Sequence, residues 1–87
     1  MKEISIEIQS AVGLHARPAS VFVKKALSFS SSVTVTKGAR SVDGKSILGI
    51  LSLGAHCGEQ ITIRTDGPDE EDAMACMLEV IRLGDNA

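Results

Sequence analysis

Residues 13–26 read GLHARPASVFVKKA, and the change of period inside this stretch sets the architecture. Upstream, KEISIEIQ (2–9) alternates. Ile4, Ile6 and Ile8 share one face, with Glu3, Ser5 and Glu7 on the other, which predicts a half-buried strand. From Ala16 the spacing turns helical. Ala19, Phe22, Val23 and Ala26 fall on one stripe, with Lys24 and Lys25 outside it. Pro18 falls in the first turn, where a missing N–H costs nothing. The pattern predicts a helix from about Ala16 to Ser28, ended by SFSSS. A strand, a loop carrying one of only two histidines, and a helix thus follow one another directly.

The rest of the chain extends this beginning. SVTVTKGARSVDGKS (32–46) reads as a hairpin: Val33 and Val35 alternate with threonines, Lys37-Gly38 opens the turn, and Ser41-Val42 starts a short return strand. SILGILSLG (46–54) is a short apolar helix with Ser46 as N-cap and Gly54 as stop. EQITIRT alternates again, with Ile61 and Ile63 on one face. DGPDEEDAM is a turn and an acid-rich helix start that suits the positive end of a helix dipole. Ala73, Met77, Val80 and Ile81 form the buried stripe of a last helix, to about Leu83. The order β-α-β-β-α-β-α predicts an α+β fold of two layers, a four-stranded antiparallel sheet with one face under three helices and the other wet. With 87 residues and no linker or repeat, residues 1–87 form one domain.

Composition narrows the function. The chain has no Trp or Tyr and two Phe, so platforms for stacking bases are nearly absent. A net charge of −2 also argues against a nucleic-acid binder. Charge is nevertheless segregated. Residues 13–45 hold Arg17, Lys24, Lys25, Lys37, Arg40 and Lys45 against Asp43, whereas residues 59–72 hold six acids against Arg64. Two cysteines, Cys57 and Cys76, do not make a disulfide scaffold. As small buried thiols they fit a reducing cytoplasm. The opening residues do not read as a secretory signal, and no apolar run approaches a membrane span of roughly 20 residues.

His15 carries the chemistry. A lone histidine at a loop–helix junction is often only a cap or a solvated side chain. Its neighbours point further. A helix N-terminus offers unpaired N–H groups and partial positive charge, a natural anion site. Here the donors are the backbones of Ala16 and Arg17, since Pro18 has none, and the Arg17 guanidinium suits phosphate oxygens. The same positive end disfavours an imidazolium, so a ring nitrogen of His15 stays free to attack at neutral pH. A transferred phosphate then turns that repulsion into attraction.

GLHARPAS (13–20), followed by DGKSILGILSLG (43–54), resembles the HPr family, the phosphocarriers of the bacterial phosphoenolpyruvate-dependent phosphotransferase system. The likeness spans nearly the whole chain. It implies the family's open-faced β-sandwich with sheet order 1-4-2-3. It implies that His15 is phosphorylated on Nδ1, with Arg17 beside it. The donor would be Enzyme I, and the acceptors IIA domains of sugar permeases. The unit would be a cytoplasmic monomer with no cofactor, metal, nucleic acid or membrane insertion. It implies further that Ser46, besides capping its helix, is a target of HPr kinase/phosphorylase, with a transcriptional regulator as a further partner. Ile47, Leu48 and Leu51 would dock partners beside His15, with Ser20, Lys24 and Lys45 at the rim. The competing reading of that second helix is burial on two sides. Leu27 stands where many family members carry a basic residue.

Other signals carry less. HCG (56–58) lacks the spacing of a zinc site, DEED (69–72) reads as a helix start, and the glycines lack the order of a nucleotide loop. Two alternatives to the sugar relay stand. One is a regulatory paralogue, either a nitrogen-branch carrier or a corepressor; His15 speaks against the corepressors that lack it. The other is a ligand- or RNA-binding α+β module, which predicts a basic or aromatic sheet face where this sequence has Thr and Glu.

Overall fold

The computed structural model describes residues 1–8, 16–56 and 58–83, with the side chains of residues 16–18 and 83 left undescribed. The elements are β1 (Lys2–Glu7), α1 (Ala16–Leu27), β2 (Ser32–Lys37), β3 (Arg40–Asp43), α2 (Ile47–Ser52), β4 (Gln60–Asp66) and α3 (Glu70–Leu83). The strands form one antiparallel sheet in the order β1-β4-β2-β3. This is the open-faced sandwich that the resemblance implies.

The sheet's two faces follow from the alternation. Val33 and Val35 of β2 and Ile61 and Ile63 of β4 point inward and are fully buried. Phe22 and Ala26 of α1, Ile50 of α2, and Met77, Val80 and Ile81 of α3 meet them to close a core that is aliphatic apart from Phe22 and the methionines. On the opposite face Ser5, Thr62, Thr36 and Ser41 stand in register across all four strands. Their hydroxyls pair at the two ends of the row, Ser5 with Thr62 at 2.9 Å and Thr36 with Ser41 at 2.8 Å.

The ends of the helices are built from local groups. α1 stops at Leu27, one residue before Ser28, because the Ser28 hydroxyl and amide both turn back onto the Lys25 carbonyl, at 2.6 and 3.0 Å. Ser46 caps α2, its Oγ accepting the Gly49 amide at 3.2 Å. Gly54 ends that segment at φ +60, a conformation glycine adopts without a Cβ penalty. At the start of α3 the Asp69 carbonyl accepts the Ala73 amide, and Glu70, Glu71 and Asp72 fill the first turn.

One strand departs from its pattern. Ile4, Ile6 and Ile8 share a face, yet only Ile8 is fully buried; Ile6 is half-buried and Ile4 exposed. β1 lies at the sheet edge, where α3 runs beside its beginning without covering Ile4. Ile4 lines a shallow groove there with Lys2, Glu71, Met74, Ala75 and Leu78. Inside, Thr65 is buried, and its hydroxyl donates to the Glu70 carbonyl at 2.9 Å, which removes the penalty of an unpaired polar group.

Candidate functional site

His15 and the loop that carries it lie outside the described residues, as does Cys57. What surrounds that loop in the chain is defined. It leaves the sheet at Ile8, whose amide donates to the Glu59 carbonyl at 2.9 Å and whose carbonyl accepts the Gly58 amide at 2.8 Å. It ends where α1 begins, so the first helical residue, Ala16, directly follows His15. α1 is a helix of 12 residues with no acid in its first turn and Lys24 and Lys25 in its last. Charges and dipole thus agree: no acid of the first turn opposes the positive end, and cations lie in the turn at the negative end. The amides of Ala16 and Arg17 belong to that first turn, where no intrahelical acceptor exists.

Ser20, Lys24 and Leu27 are spaced for one face of α1, and all three are exposed. α1 packs against α2, whose aliphatics divide sharply. Ile50 is 0% exposed and Leu53 is buried, while Leu48 is 77% exposed and Ile47 and Leu51 are also open to solvent. Burial on two sides is therefore excluded: α2 buries one stripe and presents the other. Leu27, at 62% exposure, adds an aliphatic on α1. Ile47, Leu48 and Leu51 of α2 and Leu27 of α1 are thus large apolar side chains left at the surface.

Lys45 behaves differently from Lys24. Its ammonium donates to the Phe29 carbonyl at 2.9 Å, next to the end of α1, and the side chain is half-buried. It bridges the α1 terminus to the approach of α2. Ser46 is likewise half-buried, with its hydroxyl committed to the cap.

A cluster not foreseen in the sequence lies at the other end of α2. The Lys37 ammonium donates to the carbonyls of Leu53 and Gly54, both at 3.2 Å, and pairs with Glu59 Oε1 at 3.1 Å. The same carboxylate oxygen accepts the His56 amide at 2.8 Å. That amide and the Lys37 ammonium hold the Glu59 carboxyl below the usual carboxylate range. Only the basic character of Lys37 at the opening of a predicted turn hinted at this, since Glu59 is 22 positions further on. His56 thus belongs to a turn, and among the described residues no three His, Cys, Asp or Glu side chains group to hold a metal ion. No described helix is long and apolar enough to cross a membrane.

The chain is similar to known proteins along nearly its whole length. A family model described as the PTS HPr component phosphorylation site matches residues 2–82. The chain is 44% identical to phosphocarrier protein HPr of Neisseria meningitidis, covering 93% of this chain and 91% of that one. It is 40% identical to HPr-like protein Crh of Halalkalibacterium halodurans, covering 93% and 96%. Among solved structures, HPr-C-His from Thermoanaerobacter tengcongensis superposes with a TM-score of 0.94 at 42% identity, over 100% of this chain and 98% of that one. An HPr dimer from the same organism gives 0.74 at 46% identity, over 93% of each.

Proposed function

The chain belongs to the HPr family, and on that premise we propose that it relays phosphoryl groups from Enzyme I to IIA domains of sugar permeases through His15. HPr proteins are phosphocarriers, not enzymes that turn over alone. In the relay, the Nδ1 lone pair of His15 attacks phosphorus while the bond from phosphorus to the donor's carrier atom breaks. The donor keeps that electron pair. The reverse exchange hands the group to the acceptor. The amides of Ala16 and Arg17, with the Arg17 guanidinium, stabilise the added charge. Ile47, Leu48 and Leu51 supply the apolar contact with both partners in turn, with Ser20 and Lys24 at its edge. Lys45 sets the approach of α2 through Phe29.

The observation that carries this reading is the start of α1 at Ala16, immediately after the histidine of the GLHARP segment. Incubation with Enzyme I and phosphoenolpyruvate tests it. A phosphate that is labile in acid, stable in base and lost in His15→Ala is the expected result. A wild-type chain that takes up no phosphate overturns it.

A regulatory role is the second reading, favoured by the likeness to Crh over nearly the whole chain. Its site is Ser46, at the start of α2 beside the docking face. A phosphate there adds charge that repels acidic partner surfaces. Incubation with HPr kinase and ATP gives an acid-stable phosphate, absent in Ser46→Ala, if this reading holds. In both readings the chain works in the cytoplasm as a single copy. Elution at twice the monomer mass would instead favour an assembly like the Thermoanaerobacter dimer.

A further inference from the structure

We propose that Lys37 and Glu59 are positioning residues that fix the docking helix α2 relative to the strand end feeding the His15 loop, an inference that rests on the relay reading. Three oxygens converge on the Lys37 ammonium: the carbonyls of Leu53 and Gly54 at 3.2 Å each and Glu59 Oε1 at 3.1 Å. The first two close the C-terminal end of α2, where carbonyls lack partners and carry partial negative charge. The third belongs to a residue whose own backbone carbonyl accepts the Ile8 amide at 2.9 Å. Ile8 is fully buried and is the last described residue before the loop. One side chain from the β2–β3 hairpin therefore joins the end of α2 to Ile8.

The arrangement uses the lysine's charge as well as its reach. Remove the ammonium, and the carbonyls of Leu53 and Gly54 lose this donor, while the Glu59 carboxylate is left with the His56 amide. Glu59 is then held less firmly, and the Ile8 pairing loses one of its side anchors. Phosphoryl transfer needs the docked surface and the attacking nitrogen in one fixed relation, because small misplacements of a reacting group lower rates steeply. The clasp acts through that relation.

The test measures phosphorylation by Enzyme I and phosphoenolpyruvate as a function of the concentration of wild type, Lys37→Met, Lys37→Arg, Glu59→Gln and Arg40→Met. Arg40 is exposed on the same hairpin, so its variant removes an equal charge without opening the clasp. The expected result is a fall of about tenfold in kcat for Lys37→Met, with KM changed little, recovery in Lys37→Arg and a smaller fall in Glu59→Gln. Arg40→Met keeps the wild-type kcat. Amide exchange at Ile8 and Gly58 is expected to speed up in Lys37→Met and Glu59→Gln, also by about tenfold, with protection elsewhere in the sheet unchanged. Glu59→Gln keeps the shape of its residue, so it decides the matter if Lys37→Met unfolds. Wild-type kcat in both clasp variants, or unchanged exchange at Ile8, overturns the proposal. A wild-type chain that accepts no phosphate instead overturns the relay reading, and the catalytic part of this inference falls with it.

Discussion

Ser31 and Asp69, 38 positions apart, hold each other through both side chain and backbone. Asp69 Oδ1 accepts the Ser31 amide at 2.8 Å, and Oδ2 accepts the Ser30 amide at 2.9 Å. The Ser31 hydroxyl also donates to Oδ1, while its oxygen accepts the Asp69 amide at 3.1 Å. The lock joins the segment after α1 to the N-terminus of α3, so two helices on one face of the sheet share a fixed end.

This lock makes stability depend on acid. The Ser31 hydroxyl, then the Ser30 and Ser31 amides, hold the Asp69 carboxyl below its ordinary range. A depressed folded-state value means stabilisation that is complete above the unfolded value, about pH 4, and is lost as pH falls through the lower folded one. Asp69→Ala is therefore expected to melt below wild type at pH 7, with the gap narrowing as pH drops under about 4. Melting curves across that range check it; a gap independent of pH contradicts it.

Gly67 is fixed by the same neighbour. A Cβ built there would lie 2.6 Å from Ser31 Oγ and 2.7 Å from Ser31 Cα. The backbone atom cannot yield cheaply. Gly67→Ala is expected to cost about 1–3 kcal/mol. For a domain of this size each kcal/mol lowers Tm by about 4–8 °C. Gly38 at φ +61 has nothing within 4 Å of such a Cβ, so Gly38→Ala carries only the left-handed backbone penalty, about 1–2 kcal/mol. Gly67 itself sits at φ +152, so its variant carries a backbone penalty as well, and denaturant titration of both variants compares a combined steric and conformational cost with a purely conformational one.

Ser46 has a structural role separable from any regulatory one. Replacing it with alanine removes the acceptor of the Gly49 amide, at an expected cost of about 1 kcal/mol. Ser46→Asp keeps a capping oxygen and is expected to hold its Tm while accepting no phosphate from HPr kinase. If Ser46→Ala melts as wild type does, the cap contributes nothing and α2 is held by packing alone.

Within α2, neighbouring aliphatics are expected to fail in opposite ways. Ile50 is fully buried, so Ile50→Ala should cost about 2–5 kcal/mol. Leu48 is 77% exposed, so Leu48→Asp should stay within about 0.5 kcal/mol of wild type in stability. Its effect should appear in docking, as a loss of roughly 2 kcal/mol, about thirtyfold, in affinity for Enzyme I. Calorimetry with purified Enzyme I checks this, and unchanged affinity removes Leu48 from the docking face.

The sequence by itself determined the elements, because strand and helix periods are local properties. The alternation of KEISIEIQ, the helical spacing after Ala16, the Ser46 cap and the Gly54 stop all involve residues within a turn or two of one another. It also marked His15, since a histidine just ahead of a helix needs no distant partner to be read. Tertiary structure alone decided which shared faces are covered. In the run ILGILSL, Leu48 and Ile50 are interchangeable as aliphatic residues; packing against α1 and the sheet buried Ile50 and left Leu48 exposed. Ile4 stays exposed while Ile8, on the same face, is fully buried. The Lys45 ammonium went to Phe29, and Lys37 to Glu59, across separations that no local pattern encodes. Periodicity reports which side chains point the same way, whereas burial and ion pairing depend on what the rest of the chain brings to that side.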